Sequence, residues 1–236
     1  MMKTLKTTFT VLFALVATFV FQSCLDGEDS DVADYVAIAT THVIPGSTSG
    51  LDTFYFQLDN QKTLTPVINK VKNFKAVEGQ RVILQYDIES QATAGYDYGI
   101  ELFNVTELLT KDIEVLTTEN EEEIGNDPIS ISKDYSQLAV GYLNLQISFL
   151  SGNTTATVHL VENTITPVED VDYTVLELRL NNPGSEYSSS NSSGLVCFKL
   201  GDYDPMLTGK KGIKVLVKTT AEGELKEYTF SYSYKD

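Results

Sequence analysis

The sequence predicts an all-β protein of two domains behind a cleaved secretion signal. Three observations carry this. The second half alternates apolar and polar residues at period two, as strands with one buried face do. Helical periodicity sustained over more than two turns is nearly absent beyond residue 24. The first 23 residues have a charged start, a short apolar middle and a small residue before a cysteine.

Taking the elements in order, Lys3 and Lys6 precede thirteen apolar-biased residues, Phe9 to Phe21. A bilayer-spanning helix needs about 20 such residues, so residues 1–23 read as a signal peptide ending in the lipobox-like Phe21-Gln22-Ser23-Cys24. Cys24 is the expected lipid attachment site. One acyl chain gives marginal membrane binding and two or more hold stably. The alternative is a free cysteine near an ordinary cleavage site. Residues 24–33 then form an acidic tether with Asp26, Glu28, Asp29 and Asp31, too polar to bury surface.

Residues 34–112 form the first domain, with strands expected at Tyr35–Ile44, Thr53–Leu58, Gln80–Glu89 and Tyr96–Val105. Leu64–Val71 is a short strand or an irregular crossing, and Pro66 confines it to an edge. Gly46–Gly50 and Gln91–Gly95 supply turns. Residues 113–126 read as a junction with one or two helical turns. There Thr118 and Glu121 make a capping box and Gly125 a stop. The acids of this stretch lack the spacing of a calcium loop, which favours a solvated helix over a metal site.

Residues 127–236 form an antiparallel β-sandwich. Its strands are Leu143–Phe149, Thr155–Glu162, Thr174–Leu180, Gly194–Leu200, Ile213–Thr219 and Tyr228–Tyr234. Leu176, Leu178 and Leu180 share one face, with Glu177 and Arg179 on the other. Tyr228, Phe230, Tyr232 and Tyr234 share another. The Ser-rich stretch from Pro183 to Gly194 reads as an exposed, mobile loop.

Composition bounds the function. Without residues 1–23 the chain holds 15 basic and 33 acidic residues, a net charge of −18. Nucleic-acid affinity rests on cationic neutralisation of phosphates, so nucleic acid is not an expected partner. With Cys24 lipidated, Cys197 stands alone in an apolar strand and reads as a small core hydrophobe. His42 and His159 lack clustered co-ligands for a metal site. Gly46-Ser47-Thr48-Ser49-Gly50 places Thr48 where a nucleophile elbow needs serine. No catalytic residue, metal or cofactor is expected. Tyr96 and Tyr98, between Gly95 and Gly99, are the candidate binding aromatics, with Tyr187 and Tyr203 further loop tyrosines; packing is the competing role for all of them.

Taken in order, Gly79–Tyr86, Gly95–Leu102, Leu109–Leu116, Ile124–Ile129, Tyr142–Ile147 and Val175–Asn182 resemble the NigD-like family of Bacteroidota lipoproteins, over nearly the whole chain beyond the signal. The resemblance implies an N-terminal OB-like small barrel followed by the C-terminal β-sandwich, and five strand signals in the first half agree with it. It brings no catalytic motif. It implies a lipid-anchored outer-membrane protein with a bacteriocin-associated, immunity-related role. The acids after Cys24 resemble the export signal that takes such lipoproteins to the cell surface. The expected partners are the membrane, through the N-terminal lipid, and a protein or glycan ligand. An accessory glycan-binding lipoprotein and an unfamiliar carboxylate hydrolase are the alternatives. Glycan binding predicts a row of coplanar exposed tyrosine rings, and an enzyme predicts convergent carboxylates of displaced pKa.

Overall fold

A computed structural model describes residues 33–46, 53–91, 93, 95–152, 155–185 and 190–232. The expected lipid site Cys24 and the acids Asp26, Glu28, Asp29 and Asp31 lie outside the described residues, as do Thr48, Tyr187 and Tyr234. Among the described residues no helix is long and apolar enough to cross a membrane.

Five strands close into a barrel: β1 (Tyr35–Ile44), β2 (Thr53–Leu58), β3 (Thr63–Asn69), β4 (Arg81–Gln91) and β5 (Tyr98–Glu107), in the order β1-β2-β3-β5-β4. The ten-residue β1 makes closure possible. Its first half pairs with β4 and its second with β2. Alternate residues point inward, so Ala39, Phe56, Leu64, Val82, Leu84, Ile100 and Leu102 fill the interior with no exposed surface. Phe54, Phe56 and Phe74 meet at one end, with Phe54 edge-on to both neighbours.

Pro66 does not confine its strand to an edge. β3 pairs with β2 only through Thr63 and Leu64 and runs parallel to β5 on its other side. The proline lies beyond the β2 pairing, and the register with β5 shifts between Pro66 and Ile68. The missing N–H therefore falls where the ladder is already irregular.

The second domain stacks two five-stranded sheets. One has the order β6 (Leu109–Asp112), β13 (Asn191–Lys199), β10 (Tyr142–Leu150), β8 (Ser130–Ile131), with β9 (Gln137–Ala139) also on β10. The other has the order β15 (Leu225–Phe230), β14 (Gly212–Lys218), β12 (Tyr173–Asn181), β11 (Thr157–Asn163), β7 (Glu114–Leu116). Leu143, Leu145, Ile147, Val196 and Phe198 of the first face Leu160, Leu176, Leu178, Ile213, Val215 and Phe230 of the second in one core.

Several local expectations change. β6, at the end of the expected first domain, and β7, in the expected junction, join the two sheets of the sandwich as edge strands parallel to β13 and β11. β12 and β14 are parallel as well, since the intervening β13 belongs to the other sheet. Helix α1 (Glu121–Ile124) has Asn120, not Thr118, at its N-cap. The Asn120 side chain bridges the Thr117 N–H and the Val115 carbonyl, fixing the turn by a local route. Gly125 does end the helix, at φ 72°. Asn191–Ser193 of the Ser-rich stretch pair with Ser148–Leu150, so strand β13 begins three residues early. β15 stops at Phe230, and the Tyr232 hydroxyl donates to Asp204. Arg179 and Glu177 do share the face opposite the leucines, but Arg179 is buried and bound to Glu177 at 2.9 Å and to Glu121 of α1 at 3.5 Å.

The domains meet on Arg81, the first residue of β4 and 1 % exposed. Its guanidinium pairs with Asp59 at 2.6 Å, donates to Thr40 at 3.0 Å and to Asn144 at 3.4 Å, and lies 4.8 Å over the Tyr142 ring. Asp59 also accepts from Gln137 at 2.8 Å. Thr40, Asp59 and Arg81 come from the barrel; Gln137, Tyr142 and Asn144 come from the sandwich. A buried charge is tolerable only when paired and hydrogen-bonded, so the two domains must stay together. Cys197 is buried, but not in the sandwich core. Its neighbours Val196 and Phe198 point inward, which turns Cys197 outward to the Arg81 side. Burial pushes its thiol up to about 11, against the opposing pull of Arg81.

Candidate functional site

Period two on β1 and β2 sets an outward row on the barrel. His42 and Tyr55 are cross-strand partners, and directly opposed residues sit close enough for rings to meet. Their rings stack with centroids 4.9 Å apart and planes 20° apart. Tyr96 extends the stack from the β4–β5 loop, 5.2 Å from Tyr55 at 44°. Gln57, two residues along from Tyr55, brings its Oε1 to 3.3 Å from His42 Nε2. Glu78, from the crossing between β3 and β4, meets His42 Nδ1 at 2.9 Å and accepts from the Val43 N–H at 2.6 Å. Desolvation acts to raise the Glu78 pKa, but these partners outweigh it and hold the carboxyl low.

The β4–β5 loop is pinned. Gly95 turns at φ 91°, and the Tyr96 N–H donates to the Thr93 carbonyl. Asp97 accepts from Lys62 Nζ at 2.7 Å and from the Thr63 N–H at 2.9 Å and hydroxyl at 3.0 Å, tying the loop to the β2–β3 turn. The Lys62 hydrogen bond, then the Thr63 N–H, hold Asp97 at a pKa of about 2. A shallow hollow of about 400 Å³ lies here, bounded by Lys62, Gln91, Tyr96, Asp97 and Tyr98.

The two predicted tyrosines therefore share a hollow but differ in role. Tyr96 belongs to the outward stack, whereas Tyr98 packs against the barrel core. Sequence reasoning did not single out Tyr55 or Glu78, and it left His42 as a lone strand histidine. Tyr203 is half-buried, its hydroxyl donating to Glu162 at 2.7 Å. His159 is held by Glu114 at 2.7 Å on the far side of the sandwich.

Chemically, the face offers ring edges, an amide and a carboxylate. It does not offer an elevated acid. Asp170, held by the Lys214 ammonium, and Glu119, held by the Thr117 hydroxyl, are displaced downward like Glu78 and Asp97. A glycosidase-type general acid needs the opposite displacement. Among the described residues no group of three or more His, Cys, Asp or Glu converges as a metal site.

Comparison with known proteins fits this architecture. Residues 44–108 match the NigD-like N-terminal OB domain, and residues 112–232 match the NigD-like C-terminal β-sandwich domain. A protein of unknown function from Bacteroides vulgatus is 33 % identical, with 84 % of this chain and 90 % of that one covered at a TM-score of 0.70. A NigD-like immunity protein from Bacteroides caccae is 19 % identical, covering 84 % and 96 %, at 0.55. A candidate lipoprotein from Bacteroides fragilis is 14 % identical, covering 86 % and 99 %, also at 0.55. The last two likenesses speak for the fold alone. No functionally curated protein matches the sequence. With both domain families matched in order across the barrel and the sandwich, the chain belongs to the NigD-like family.

Proposed function

We infer that this chain is a non-catalytic lipoprotein, held at the outer membrane through Cys24 and facing outward, whose barrel face binds a toxin-like protein. The observation that carries the binding role is the His42–Tyr55–Tyr96 stack with its polar flanks, Gln57 and Glu78. OB barrels bind ligands with one strand face and adjoining loops, the β4–β5 loop that carries Tyr96 among them, and aromatic anchors dominate protein interfaces. The immunity name of the Bacteroides caccae relative suggests the partner class. A tether of ten residues reaches at most about 35 Å, which keeps the barrel near the leaflet.

A glycan platform is less favoured. It calls for rings laid side by side and coplanar, whereas His42 and Tyr55 turn their faces to one another. The test is a strain lacking this chain, challenged with toxins secreted by related strains. The wild-type chain restores growth, and a Tyr55→Ser/Tyr96→Ser chain that accumulates equally does not. Equal protection by both chains, or by neither, refutes the reading.

A further inference from the structure

A second cavity lies on the other side of the β2–β3 turn, between the two domains, with a volume of about 460 Å³. That is within the range of small-molecule sites. One wall is Asp59–Gln61, a turn in which Gln61 adopts φ 66° and Asn60 accepts from the Lys62 N–H. The opposite wall is Ser136–Val140. The end is closed by Phe230–Tyr232 with Lys133.

The polar groups here are unequally satisfied. Asp59 is fully engaged, by Arg81, Gln137 and Asn144. Lys133 is not. Its ammonium donates to the Thr229 carbonyl and lies 3.5 Å over the Phe230 ring. Among the described residues no carboxylate pairs with it; burial lowers its pKa, and no acid acts to raise it. Beside it Leu138, Ala139 and Phe230 are buried and apolar.

We propose that this interdomain cleft is a binding site for a monocarboxylate with an apolar body, its carboxylate on Lys133 and its body over Leu138, Ala139 and the Phe230 edge. A single ammonium facing a neutralised Asp59–Arg81 pair matches one negative charge. A dianionic phosphate would need further donors. The cleft is separate from the His42–Tyr55–Tyr96 face, so the proposal stands independently of the partner assigned to that face.

The test is an amide-resolved NMR titration of the chain beginning at Cys24, with 3-phenylpropionate as probe and 3-phenylpropanamide as its uncharged match. The acid is expected to shift the amides of Leu138–Val140 and Ser231 at millimolar concentration. The amide probe and the Lys133→Gln chain should each bind about tenfold or more weakly. Lys133→Arg, which keeps the charge, should bind as the wild type does. Absence of cleft shifts overturns the proposal. So do equal shifts from both probes, unchanged binding in Lys133→Gln, or lost binding in a folded Lys133→Arg.

Discussion

Removing the Asp59 carboxylate should destabilise this protein more than removing the arginine it serves. In Asp59→Ala the Arg81 charge remains, 1 % exposed, with Thr40, Asn144, the Tyr142 ring and Cys197 but no carboxylate bound to it. Breaking a buried pair from one side costs about 3–5 kcal/mol. The Asp59 side chain is itself 22 % exposed, so water can enter the space it leaves. The lower end applies, about 3 kcal/mol, or roughly 6–12 °C in Tm for a chain of this size. Arg81→Met is milder, about 1–2 kcal/mol, because Asp59 keeps Gln137 and Asn144 as donors and gains water. Adding Arg81→Met to Asp59→Ala should restore stability, since it deletes the unpaired charge. Urea unfolding followed by circular dichroism measures all four chains; the sequence has no tryptophan to report instead. A cost below 1 kcal/mol for Asp59→Ala, or a double variant weaker than Asp59→Ala, would refute the reasoning.

Other outcomes follow from single sites. Asp97, held at about 2 against an ordinary 3.8, stabilises the fold fully above about pH 4 and loses that contribution as pH falls through about 2. Carboxyl NMR titration should find its midpoint there, and a midpoint near 4 would disprove the Lys62–Thr63 clamp. Gly125→Ala places a Cβ 2.7 Å from the Leu180 carbonyl at φ 72°, whereas Gly209→Ala at φ 71° meets nothing within 4 Å. The first should cost about 2 kcal/mol or more and the second about 1; equal costs in urea would contradict the close approach. The Cys197 thiol, pushed up to about 11 and fully buried, should react with a disulfide reagent roughly a hundredfold or more slowly than in urea. Reaction at the unfolded rate would place it outside the domain interface.

Much of the fold was legible because period two marks strands in any context. β1 and β2 match their expected bounds, and Leu176, Leu178 and Leu180 point inward as expected. What the pattern could not carry was pairing across long separations. β6 and β7 are too short to signal a strand, and only parallel partners far along the chain give them one. The site was half legible for the same reason. Tyr96 stood out beside glycines, while Tyr55 gains its meaning from His42 opposite and a loop forty residues on. Cys197 sat in an apolar run, and the run did not disclose that its outward face meets a buried arginine. Arg81 heads a strand, and nothing local in the sequence marks it as buried.

That the two domains work from the outer membrane is tested most directly at residue 24. Cells expressing the chain are fed a palmitate analogue, fractionated, and the N-terminal peptide is weighed by mass spectrometry. The predicted result is an acylated peptide beginning at Cys24 in the outer-membrane fraction, absent in Cys24→Ala. Equal labelling of both chains, or an acyl-free chain in the culture fluid, would contradict it.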